Sequence, residues 1–178
     1  GCGDWSETGE DIGCGSCPEP DMQCENARVV EIALVQAKLT YNRYGWHDPE
    51  GRFFVLKEEL ERCGGLESYI RMVEEEKIRA EPLVIRANAG DCIELRTTNL
   101  LPEYLEANGW NNIAGARKYE TLVERFFADE ELRTVFFHDH LFANAHQFHG
   151  VFGALIVEEA GATFHDIRGG KELRAGTK

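Results

Sequence analysis

Short segments of alternating apolar and polar residues, separated by turn-forming residues, constrain the fold of this chain more than any other feature. Residues 82–89 and 92–98 flank a turn at Gly90, and in the second segment Ile93 and Leu95 alternate with charged residues. Successive side chains of a strand point to opposite faces of the sheet. The alternation therefore predicts two half-buried strands of the kind found in antiparallel sheets.

The same reasoning predicts the other elements. Strands are expected over 27–44 (one long strand or two short ones), 52–56, 132–137 and 151–158, and helices over 57–77, 101–107 and 116–128. Gly64-Gly65 interrupts the first helix. In the first strand the even positions Val30, Ile32 and Leu34 are expected to face the core.

These elements predict an all-β chain, a β-sandwich with helical insertions near 57–78 and 101–128. Residues 27–178 are expected to form one domain, which a chain of this length can supply with a sizeable core. Residues 1–26 lack apolar periodicity and are rich in Cys, Gly, Pro and acidic residues, so they are predicted to be an irregular extension.

The charge balance excludes one class of partner. The chain has 19 basic and 32 acidic residues, a formal net charge of −13. Such a surface repels phosphate backbones, so we expect no nucleic-acid partner, whereas metal cations would be attracted. Plain solubility is the simpler interpretation of the acidity. No apolar run approaches the roughly 20 residues of a membrane-spanning helix, so no membrane span is expected.

Cysteine usage points to an oxidising compartment. Four of the six cysteines crowd into the first 24 residues, namely Cys2, Cys14, Cys17 and Cys24. This density is typical of a disulfide-stapled extracellular segment, and the expected location is extracellular, cell-surface or periplasmic. A four-cysteine zinc site and free thiols are the alternatives. By elimination, Cys63 and Cys92 are left to form a further disulfide.

A histidine cluster at the end of the 132–137 strand is the candidate functional site. Four of the six histidines fall within twelve residues: His138, His140, His146 and His149. His138 and His140 are two apart, so their imidazoles leave a strand on the same face, about 6–7 Å apart at their origins. Imidazole is a common ligand of copper and zinc. A structural histidine pair that caps the strand is the alternative interpretation.

Neighbouring residues could complete or support this site. His146 and His149 are three apart and could add to it, or they could be solvated loop histidines. Asp139 is expected to point to the opposite face from His138 and His140, so it is not a direct ligand. His47 is expected to be structural, with Asp48 a candidate partner for an imidazole N–H.

Two blocks of sequence resemble the cupredoxin module of multicopper oxidases. Residues 82–91 followed by Thr98-Asn99-Leu100 are similar to the strand, turn and strand that precede the module's first copper motif. Residues 134–140, with Gln147, Gly150 and the run 153–157, are similar to its second copper motif, in which an aromatic strand ends in His-x-His. Residues 41–49 resemble the large bacterial multicopper oxidases, some of which are associated with manganese(II) oxidation.

The resemblance implies a Greek-key β-sandwich and a copper cofactor. His138 and His140 would be ligands of the trinuclear copper cluster at which oxygen is reduced to water. Gln147, His149 and Asp139 would supply hydrogen bonds that fix the imidazole tautomers. A complete cluster takes further histidines from other motifs and a second module. Other cupredoxin domains or identical subunits are therefore the expected partners.

The chain departs from the family at two points. Residues 103–117, where the first His-x-His motif should fall, contain no histidine, so either half of the site is lost or residues are missing near 105–112. A blue-copper site is also absent, because Cys92 has no flanking histidine and both methionines precede it.

Two functions therefore stay open, and whether the chain alone is an enzyme is left undecided. One is a domain or fragment of a multicopper oxidase, which contributes to one-electron substrate oxidation coupled to oxygen reduction. The other is a non-catalytic secreted structural or assembly module that binds metal weakly or not at all. No catalytic residue is assigned.

Overall fold

The computed structural model describes residues 27–102, 116–140, 143–165, 169–170 and 172–173. The four N-terminal cysteines Cys2, Cys14, Cys17 and Cys24 lie outside the described residues, and so does most of the helix expected over 101–107. The disulfide and zinc hypotheses for those cysteines therefore stay predictions.

Two sheets form the body of the described structure, which confirms the expected β-sandwich. The first has the strand order β2-β1-β4-β5 and the second β3-β7-β6, with parallel and antiparallel neighbours in both. The strands are β1 Arg28–Thr40, β2 His47–Leu56, β3 Leu83–Asn88, β4 Cys92–Asn99, β5 Thr121–Phe127, β6 Arg133–His138 and β7 Phe152–Glu158. A two-stranded ribbon of β8 (Phe164–His165) and β9 (Glu172–Leu173) follows.

In the part of the chain that the structure describes, three short α-helices accompany the sheets: α1 Lys57–Arg62, α2 Leu66–Glu74 and α3 Ala143–His146, which a 3-10 helix at Gln147–His149 follows. The first two confirm the helical insertion near 57–78. They are separated at Gly64-Gly65, whose φ angles of 86° and 101° favour glycine. Within the described residues, none of the helices is long and apolar enough to cross a membrane.

Strand β1 is buried on both faces because it lies between two apolar clusters. Its even positions face the core between the sheets, as expected: Val30, Ile32 and Leu34 pack with residues of β3 and β4. Its odd positions, among them Val35, pack against the inserted helices, where Leu60 and Val73 close the second cluster. The insertion therefore covers apolar surface that a plain sandwich would expose.

The expected helix over 116–128 is wrong where the structure describes strand β5. Thr121–Phe127 pairs antiparallel with β4, from Thr98↔Thr121 to Cys92↔Phe127. Tyr119 has a φ of 67°, which ends any helical path just before the strand. The apolar stripe at helical spacing was misleading because β-branched and aromatic residues also suit a strand with a hydrogen-bonding partner.

Three further expectations are corrected. The strands before and after Gly90 were expected to be of the antiparallel kind, but β3 pairs in parallel with β7, and β4 pairs in parallel with β1 and antiparallel with β5, because alternation defines faces and not the direction of the partner. Strand β2 begins at His47 rather than at Arg52, since a register shift between Ala37 and Leu39 lets pairing continue.

The proposed Cys63–Cys92 disulfide is also wrong. Cys63 is a free cysteine that packs against the cluster beneath the inserted helices. Cys92 begins strand β4 and is not bonded to Cys63. Elimination failed because it considered only which cysteines remained, whereas Cys63 directly follows helix α1 and Cys92 begins strand β4.

Candidate metal centre

Strand β6 ends at the candidate site and sets the direction of its side chains. Phe137 faces the core, with its ring centroid 5.7 Å from that of Phe54. Phe136 and His138 share the other face, and their ring centroids are 4.8 Å apart. Opposite Phe137 lies Gly153, where a Cβ would collide with the Phe137 ring and approach the Leu83 carbonyl oxygen to 2.7 Å. This close approach requires glycine.

His138 and His140 converge, as the sequence predicted. Their Nε2 atoms are 3.2 Å apart and their ring centroids 4.3 Å apart. For metal–imidazole bonds of about 2.0–2.1 Å, this 3.2 Å separation corresponds to an angle of about 100–105° at a shared ion, close to tetrahedral. The pair therefore fits two positions on one copper or zinc ion. The separation also suits a hydrogen bond between the two rings.

The His138 ring is held by contacts at its Nδ1. This atom lies 3.0 Å from the backbone carbonyl oxygen of Asp139, which can only accept, and it also contacts Gln147 Nε2, which can only donate. Gln147 Nε2 donates as well to the same carbonyl oxygen, at 3.2 Å. These contacts orient the ring, and its Nε2 faces His140.

Asp139 and His146 form a separate, fully buried pair. The Asp139 side chain leaves the opposite face from the two converging histidines, and its Oδ2 lies 2.9 Å from His146 Nδ1. Both side chains are 0% exposed. The structure thus places His146 with Asp139 and does not bring it to His138 and His140. The pair ties the end of β6 to α3 and the turn that carries Gln147.

His149 is also directed elsewhere. Its Nδ1 lies 2.7 Å from Asp48 Oδ2 on strand β2. Asp48 is therefore the partner of an imidazole, but the ring is that of His149 and not the adjacent His47, whose Nδ1 contacts the Gly45 carbonyl oxygen at 2.8 Å. The Tyr41 hydroxyl donates a hydrogen bond to the same carboxylate. Burial, the nearby Asp48 charge and this hydrogen bond raise the pKa of Tyr41.

Sequence reasoning missed two residues that support this region. Tyr41 and Arg52 had no assigned role. The Arg52 side chain is 0% exposed, and its guanidinium contacts Gln36 Oε1 at 3.1 Å and the Ala145 carbonyl oxygen at 3.4 Å. A lone arginine in an otherwise apolar strand segment indicates a residue with a structural role, because a buried charge needs specific partners. Within the described residues, no three or more His, Cys, Asp or Glu side chains converge on one point.

Comparison with known proteins defines the class of fold. No protein-family model and no curated protein matches the sequence. Among solved structures, the copper-containing nitrite reductase of Thermus scotoductus SA-01 aligns over 78% of this chain and 29% of its own, with 14% identity and a TM-score of 0.50. The copper nitrite reductase of Nitrosomonas europaea aligns over 76% and 42%, with 18% identity and a TM-score of 0.46.

A multicopper oxidase, mgLAC, aligns over 76% of this chain and 40% of its own, with 15% identity and a TM-score of 0.48. This chain therefore spans less than half the length of the structures that it resembles. The fold is that of a cupredoxin-like β-sandwich. At these identities the similarity defines the fold and no more.

Proposed function

We propose that this chain is a cupredoxin-like domain of a copper oxidase and that His138 and His140 provide part of its copper cluster. The observation that carries the proposal is the 3.2 Å approach of their Nε2 atoms at the end of an edge strand. His140 and Phe136 are exposed, so the pair is accessible to ligands from outside the described residues. Imidazole stabilises both Cu(I) and Cu(II), which suits one-electron chemistry.

Each residue around the pair has a defined task. His138 and His140 would hold copper, which would supply the one-electron chemistry when bound. The Asp139 carbonyl oxygen and the Gln147 side-chain amide both contact His138 Nδ1 and orient the ring. The buried Asp139–His146 pair holds the strand end against the following turn. The Phe136 ring lies beside that of His138, with the two centroids 4.8 Å apart.

Several parts of the proposal depend on the sequence resemblance. Another cupredoxin domain or an identical subunit completes the cluster. The relatives are the large bacterial multicopper oxidases, and the location is extracellular, cell-surface or periplasmic. Residues 27–178 act as one domain, with 1–26 as an extension. Such a chain would be active in substrate oxidation only within the assembly.

Copper retention tests the proposal directly. After incubation with Cu(II) and desalting, copper is measured by mass spectrometry in the unaltered chain, in His138→Ala, in His140→Ala and in the control His165→Ala. We expect the control to retain as much copper as the unaltered chain and both site variants to retain markedly less. Equal retention by all four proteins would contradict the proposal.

The alternative is a non-catalytic structural or assembly module. It is favoured by the fact that 3.2 Å also suits an imidazole–imidazole hydrogen bond. In that case His138→Ala lowers stability and leaves copper retention unchanged.

A further inference from the structure

A groove beside the candidate metal centre has the dimensions of a small-molecule site. Its volume is about 470 Å³, within the range of roughly 300–1,000 Å³ that is usual for ligand sites. The groove lies between the β1–β2 hairpin, the connection from α2 to β3, and the turn at 148–150. Its walls are mainly apolar: Leu39, Phe53, Val73, Ile78, Pro82 and Phe152.

Two residues that line the groove offer hydrogen-bond acceptors. They are His149 and Tyr41, and both donate their protons to the same carboxylate, Asp48. In the tautomer that donates from Nδ1 to Asp48, His149 Nε2 keeps a lone pair. The Tyr41 oxygen likewise keeps acceptor capacity. A ligand that satisfies these atoms must bring its own donor.

The mouth of the groove favours positive charge. Glu76 and Glu81 line it together with one basic residue, Arg79, whose Nε is 3.9 Å from Glu81 Oε1. The whole chain carries −13. Phe148 is 82% exposed and also lines the groove, and an aromatic face attracts a cation. An anionic ligand would meet net repulsion at the mouth.

We propose that this groove binds a small organic cation, a primary ammonium group on an aryl or alkyl body. The apolar walls receive the body, the ammonium donates to His149 Nε2 or the Tyr41 oxygen, and the Glu76 and Glu81 carboxylates attract its charge. Every residue in this site lies in the described part of the chain and none is His138 or His140. The proposal therefore stands or falls independently of copper.

Three matched probes test it by isothermal titration calorimetry on the full chain: phenethylammonium, neutral 2-phenylethanol and anionic phenylacetate. We expect affinity to fall in that order. Removing one rim charge in Glu76→Gln or Glu81→Gln should weaken phenethylammonium binding by about two- to fivefold and leave 2-phenylethanol unchanged. The control Glu58→Gln removes the same charge from α1, outside the groove, and should change neither.

A second variant tests the contribution of the aromatic lining separately from that of the carboxylates. Phe148→Ala removes an exposed ring, so the fold should persist, and phenethylammonium affinity should fall by about two- to fivefold. If a glutamate variant unfolds, high salt replaces it, because salt should weaken cation binding and spare the alcohol. Phenylacetate binding as tight as phenethylammonium binding, no detectable cation binding, or equal weakening by Glu58→Gln would overturn the proposal.

Discussion

The buried Asp139–His146 pair should be one of the strongest single contributors to stability near the candidate site. Both side chains are 0% exposed and their Oδ2 and Nδ1 atoms are 2.9 Å apart. A hydrogen bond to a charged group contributes about 1.5–3 kcal/mol, and a buried donor left unpaired costs about 1–3 kcal/mol. Asp139→Ala removes the acceptor and leaves the His146 donor behind.

We therefore expect Asp139→Ala to lower the free energy of unfolding by about 3 kcal/mol or more. Asp139→Asn keeps an oxygen acceptor without the charge and should lower the free energy of unfolding by about half as much. Urea unfolding followed by circular dichroism measures both, with exposed Asp129→Ala as the control, which should change the free energy of unfolding by less than about 0.5 kcal/mol.

A double-mutant cycle with His146→Ala then isolates the pair. The reasoning predicts a coupling energy of about 1–3 kcal/mol, because the two side chains are in direct contact. If Asp139→Ala is as stable as Asp129→Ala, or if the coupling energy is zero, the pair does not hold the strand end and the argument fails.

Two other predictions follow from particular contacts. Gly153→Val should lower the free energy of unfolding by about 1–3 kcal/mol, measured by urea unfolding, since its side chain would collide with Phe137 and the Leu83 carbonyl oxygen; unchanged stability would refute that packing. Because the pKa of Tyr41 is raised above the unfolded value near 10, its contribution to stability is complete below that pH and is lost as pH rises through the folded pKa. Stability of the unaltered chain should therefore fall more steeply above pH 10 than that of Tyr41→Phe, with Tyr44→Phe as the control; identical slopes for Tyr41→Phe and the unaltered chain would contradict it.

Local patterns predicted most of the sandwich, because each records which face of an element is buried. The period of two in β1 predicted the core positions Val30, Ile32 and Leu34, and Gly64-Gly65 predicted the break between α1 and α2. Strand β5 was missed because its apolar residues fit both a helical stripe and a strand. Only its pairing with β4 decides between them, and pairing is not a local property.

The candidate site also has contacts that the local sequence predicts and contacts that it does not. The convergence of His138 and His140 and the opposite direction of Asp139 match the alternation of strand β6 when it is continued for two residues beyond its end at His138. The partner of His149 is Asp48, 101 residues away in the chain. Nothing in the local sequence shows that Asp48 pairs with His149 rather than with the adjacent His47. Long-range partners of this kind are set by how β2 and the turn at 147–149 pack together.

The most direct test of the central claim is an anomalous difference map at the copper edge, from crystals of this chain grown with copper. The account predicts a peak about 2.0–2.1 Å from Nε2 of both His138 and His140. No peak between these two atoms, with the rings hydrogen-bonded to each other or turned apart, would contradict it.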